Sequence, residues 1–88
     1  MKVLKFGAPS CVGCITMKPR FTEIEKENPW LVTEFIDADV SPELLTQWGV
    51  QEIPEFIFLD RNGVEIERMK GIIEKEIILA KINELRDR

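Results

Sequence analysis

The sequence predicts an α/β fold: a mixed four-stranded sheet with helices on both faces, in the order βαβαββα. Three observations carry that expectation. The apolar run Val3 to Phe6 precedes an amphipathic segment with helical spacing and then a second apolar run from Leu31, and a strand–helix–strand unit implies a parallel pair with a right-handed crossover. Asp60-Arg61-Asn62-Gly63 is a hairpin turn between two further strand-like runs, which must therefore be antiparallel. Ile78, Ile82 and Leu85 place one apolar stripe on a terminal helix, flanked by Ile77 and Leu79.

Taken in order, Val3–Phe6 is a short strand and Gly7-Ala8-Pro9-Ser10 a loop, in which Pro9 pushes Ala8 toward extended backbone and Ser10 is placed to cap the first helix. From about Cys11 to Asn28, Cys14, Met17, Phe21 and Ile24 recur at spacings of three and four among charged residues, the pattern of an amphipathic helix. Pro19 falls inside it and predicts a kink, and Asn28-Pro29 ends it. Leu31–Asp37 is the second strand. Ser41-Pro42-Glu43-Leu44 combines an N-cap residue with proline at the first helical position, opening a short helix to about Trp48 that Gly49 closes. Glu55–Leu59 and Val64–Lys70 form the hairpin. Trp30 and Trp48 flank elements and are expected to pack on the core.

With 88 residues, 44% of them hydrophobic, the chain is expected to form one domain over residues 1–88. It contains no run of the roughly 18 to 20 apolar residues a membrane helix needs, and it enters its first strand without the charged and apolar regions of a signal peptide. The expectation is a cytoplasmic monomer. A net charge of −4 with mixed signs offers a phosphate backbone little to hold, so neither nucleic acid nor a membrane is an expected partner. The absence of histidine excludes Ser-His-Asp and Cys-His catalysis and removes the commonest metal ligand.

The chemistry is concentrated in the only two cysteines, in Cys11-Val12-Gly13-Cys14. A strand that delivers a C-x-x-C pair to a helix N-terminus sets one thiol where backbone N–H groups and the helix dipole favour its thiolate. A bridge closing so short a loop constrains the unfolded chain little, so the pair reads as chemical rather than structural. Two buried small hydrophobes, or two ligands of a zinc ion completed by a second chain, are the rival readings.

Phe6-Gly7-Ala8-Pro9-Ser10-Cys11-Val12-Gly13-Cys14, the helix proline Pro19, and Trp48-Gly49-Val50-Gln51-Glu52-Ile53-Pro54 together resemble the thioredoxin superfamily over nearly the whole chain. The shorter build, without an additional leading strand and helix, is closer to glutaredoxins and minimal thioredoxins. The resemblance implies that Ile53-Pro54 is a cis peptide beside the cysteines, that Cys11 attacks and Cys14 resolves, and that the working group is a redox-active Cys11–Cys14 disulfide with no other cofactor. It implies protein disulfides as substrates and an electron donor of the thioredoxin-reductase type. The alternative is a metal-binding or non-catalytic interaction module on the same fold.

The departures are specific. Val12-Gly13 stands where thioredoxins commonly have Gly-Pro, and Gly7 and Ser10 stand where they commonly have tryptophans. Docking is therefore expected to lean on Ala8, Pro9, Val12, Ile53, Pro54 and Gly71. Lys5 takes the place of a buried aspartate, and a nearby ammonium favours thiolates. Glu55 follows the proline, where a carboxylate near the sulfur opposes a second negative charge and repels anionic glutathione. Lys5 and Glu55 are thus the expected tuners of the pair. One glycine only, Gly71, stands where glutaredoxins carry two.

Overall fold

A computed structural model describes residues 1–88. Seven elements succeed one another: β1 (Lys2–Gly7), α1 (Val12–Glu27), β2 (Val32–Asp37), α2 (Pro42–Trp48), β3 (Glu55–Leu59), β4 (Glu65–Lys70) and α3 (Lys75–Leu85). The sheet runs β2-β1-β3-β4. β1 lies parallel to β2, with Lys5 beside Phe35, and antiparallel to β3, with Lys5 beside Phe56. β3 and β4 are antiparallel and slip register at Phe58/Leu59. The result is the mixed four-stranded sheet with three helices that the sequence predicts.

Alternation along the strands divides the core in two. Val3, Phe56 and Phe58 meet Met17, Phe21 and Ile24 of α1 and Ile78, Ile82 and Leu85 of α3 on one face. Leu4, Phe6, Ile57 and Leu59 meet Ile36 and Val50 on the other, where Leu44, Leu45 and Trp48 of α2 close over them. All five residues of β3 are buried, as befits a central strand covered on both sides. Trp30 packs against the first cluster and Trp48 against the second.

The helix ends reflect local chemistry. α1 runs from Val12 to Glu27 with Pro19 inside it. Ser10 was the expected cap, but Cys11 takes that position: its sulfur accepts the Cys14 N–H at 3.2 Å while Ser10 stays exposed. A cysteine sulfur is a weak acceptor, so this cap stabilises the helix less than serine would. α2 begins at Pro42 after Ser41, whose hydroxyl makes no capping bond, and ends at Gly49 in the left-handed region at φ 68°. No helix is long and apolar enough to cross a membrane.

Candidate functional site

The two cysteines sit where β1 hands over to α1. The Cys11 N–H donates to the Ala8 carbonyl at 3.2 Å, which folds the Gly7–Ser10 loop back over the strand end and presents the first turn of α1. Both cysteines are free thiols and both are partly exposed. Burial, with the hydrogen bond and charge of Cys11 added, pushes the Cys14 thiol up to about 11 against the lowering effect of backbone hydrogen bonding at Ala8. Cys14 is therefore a protonated thiol at neutral pH.

Two segments distant in sequence close on this turn. The Ile53–Pro54 peptide is cis and Pro54 is buried; its carbonyl accepts the Gly71 N–H at 2.9 Å, with Gly71 at φ 85°. That bond ties the end of β4 to the loop before β3. A Cβ on Gly13 would come 3.0 Å from Pro54 Cδ and 3.6 Å from Ile72 Cγ1. Gly13 thus lets α1, the Pro54 loop and the Gly71–Ile72 turn meet. The turn is held from α1: the Arg20 guanidinium donates to the Ile73 carbonyl at 2.8 Å, and the Ile73 N–H points at the Met17 sulfur at 3.3 Å.

Of the positions expected to dock a partner, Val12 is 76% exposed, Pro9 is exposed and Gly71 is partly exposed. Ala8 is corrected: it is buried, and what it offers the site is the carbonyl that holds Cys11. Ile53 leans on the α2-side core. Ala8, Pro9 and Pro54 line one groove with Cys14, while Val12, Ile53 and Gly71 lie outside it.

Neither expected tuner faces the sulfur pair as an unpaired charge. Glu55 is 3% exposed, and Arg68 donates to its Oε2 at 2.7 Å. Strand alternation explains the difference: Phe56 turns toward α1 and the cysteines, so Glu55 turns with Ile57 and Leu59 toward α2. Lys5 does stand on the α1 face and lines the Cys14 groove, but its ammonium is held by Glu25 Oε2 at 2.6 Å, an oxygen that also accepts the Thr33 hydroxyl at 3.0 Å. Neither residue is among the groups that displace the Cys14 thiol.

Arg68 and Ile72 escaped the sequence reading. Arg68 bonds Glu55, Glu65 and the carbonyls of Trp48 and Gly49, so it clasps both ends of the loop that carries Pro54. Its only trace in the sequence is a basic residue at a strand position whose alternation faces the core. Ile72, 58% exposed beside Val12's helix turn, joins the apolar rim. Its signal was the pair Ile72-Ile73 directly after Gly71, of which only one can turn inward.

A family model described as Thioredoxin matches residues 1–84. Over 69 residues the chain is 41% identical to Thioredoxin H5 of Oryza sativa subsp. japonica, a match covering 78% of this chain and 50% of that one. Over 81 residues it is 31% identical to a thioredoxin of Chlamydia muridarum, covering 92% and 78%. The crystal structure of thioredoxin NaTrxh from Nicotiana alata superposes with a TM-score of 0.88 at 28% identity, covering 96% of this chain and 71% of that one. The chain spans about half the length of several curated relatives that it matches.

Proposed function

The chain belongs to the thioredoxin family, and from that premise we propose that it reduces protein disulfides by dithiol–disulfide exchange at Cys11 and Cys14. The observation that carries the reading is the capping turn itself, in which the Cys11 sulfur receives the Cys14 N–H at 3.2 Å at the start of α1. A sulfur in that position has its negative charge supported by a backbone donor and by the helix dipole.

In the reaction, the Cys11 thiolate attacks one sulfur of the substrate disulfide, forming a Cys11–substrate bond and expelling the other substrate sulfur as a thiolate that takes a proton from water. Cys14 then loses its proton and attacks the Cys11 sulfur. The Cys11–Cys14 disulfide forms, the second substrate thiol departs, and two electrons have passed to the substrate. The order stems from the Cys14 environment, since its hydrogen bond with Cys11 and the Cys11 charge are two of the causes that keep it protonated. Both vanish once Cys11 is tied to substrate, leaving burial as the main brake on the second attack. Val12 and Ile72 offer an apolar rim to an unfolded or loop segment around the target disulfide. A thioredoxin-reductase-type donor returns the dithiol, and a compartment that keeps thiols reduced suits that direction.

Dithiothreitol-driven reduction of insulin tests this. Wild type is expected to accelerate precipitation of the freed chains, Cys11→Ser to lose the acceleration, and Cys14→Ser to accumulate a mixed disulfide through Cys11. Equal rates for all three proteins overturn the proposal. Zinc retention that depends on the square of protein concentration would instead assign the pair to a metal shared between two chains.

A further inference from the structure

A groove of about 480 Å³ runs beside Cys14 between α1 and the β2 edge of the sheet. Its volume falls in the roughly 300–1,000 Å³ range of small-molecule sites. Cross-strand register explains why it is aromatic: Phe35 and Phe56 flank Lys5 on the face that α1 covers, and Phe21 descends from α1 to stack on Phe56 with ring centroids 4.7 Å apart. Phe35 is nonetheless 56% exposed, because β2 is the edge strand and no helix reaches over it. Gly7 keeps the inner end open. A Cβ there would lie 3.0 Å from the Cys14 sulfur and 3.2 Å from Phe35 Cε1, so any side chain at this position would enter the space between sulfur and ring.

The charges lining the groove are of one sign. Lys5 and Lys18 line it, and no acidic side chain does. Lys5 is balanced by Glu25, whereas Lys18 is exposed on α1 and belongs to no ion pair. We propose that this groove is a binding site for a small planar aromatic anion, an aryl carboxylate or sulfonate, whose ring lies against Phe35 beside the Cys14 sulfur and whose acid group meets Lys18. Aromatic walls favour offset or edge contacts with a flat ring, and a cation at the rim adds orientation. The site adjoins the redox pair through Cys14 alone, since Cys11 does not line it.

The test is a titration of the isotopically labelled, reduced chain with 2-naphthoate, monitored by amide chemical shifts, with 2-naphthalenemethanol as the uncharged comparison. The amides of Gly7, Ile15, Lys18 and Phe35 are expected to shift together and saturate with a Kd on the order of 1 mM or tighter, as suits a ligand of this size. The alcohol should bind about fivefold more weakly, the size of effect one partly exposed charge pair supplies. Lys18→Glu, at an exposed position that leaves folding intact, should remove that preference while sparing the alcohol; Phe35→Ala should weaken both. Shifts that scatter over the surface or fail to saturate overturn the proposal, as does equal affinity for the two probes. Slowed diffusion with rising protein concentration and no probe would give the groove to a second copy of the chain and overturn it equally.

Discussion

A single sulfur illustrates how place sets chemistry. Cys14 is one helical turn beyond Cys11, partly buried against the β1 end, and its thiol is raised to about 11 from an ordinary 9.0. Between those values the folded chain binds more protons at this position than the unfolded chain does. The stabilisation is therefore complete below about pH 9 and is lost as pH rises through 11. Urea midpoints of wild type and Cys14→Ser should differ by a constant amount from pH 7 to 9, and the difference should shift against wild type from pH 9 to 11. A difference unchanged to pH 11 would mean that the thiol is not held protonated. C-x-x-C was legible as chemistry and the roles of its two sulfurs as their order at a helix start, but the raised Cys14 thiol was not, because it depends on how the folded chain buries that sulfur.

Elements were read well where periodicity is strong and one face is apolar. Glu55–Leu59, Pro42–Trp48 and the Ile78, Ile82, Leu85 stripe emerge as expected, since alternation, a Ser-Pro start and a Gly stop are local signals. What joins elements was not legible. Glu55 was read as a charge near the cysteines, yet β3 turns it to the opposite face, where only β4 can supply its partner. Arg68 is that partner and also binds the C-terminal carbonyls of α2. Removing it leaves a nearly buried carboxylate without its cation, and such losses cost about 3 kcal/mol or more. Arg68→Ala should lower the unfolding free energy by that amount in urea. Adding Glu55→Gln should recover more than half of it, because the uncompensated charge is then gone. If the double variant is no better than the single, the Trp48 and Gly49 carbonyls are the more important partners.

At the scale of the molecule, the mixed four-stranded sheet follows from one inference, the parallel strand pair plus a hairpin, and the structure keeps it, whereas the order β2-β1-β3-β4, with the hairpin joined to β1, is set by tertiary packing. The long-range closure of Gly13, Pro54 and Gly71 has no source in any local pattern, since it joins the first turn of α1 to the Pro54 loop and the Gly71–Ile72 turn through a close approach at Gly13. Linking Cys11 to Cys14 closes a ring so short that the constraint on the unfolded chain is about 2 kcal/mol at most. The folded turn already brings Cys11's sulfur to the Cys14 backbone at 3.2 Å, so oxidation should add stability rather than strain the site. By linkage, whatever the disulfide adds to folding, folding adds to the disulfide: a gain of about 2 kcal/mol makes the folded pair more reducing than the same pair in an unfolded peptide by about 40 mV. Urea unfolding of the oxidised and reduced chains gives one side of that cycle, and equilibration of folded protein and a Ser10–Ile15 peptide with glutathione gives the other. The two should agree in sign and size. An oxidised chain less stable than the reduced one would show that the turn must distort to close the bridge, and would make the folded pair more oxidising than the peptide, against the reducing shift expected.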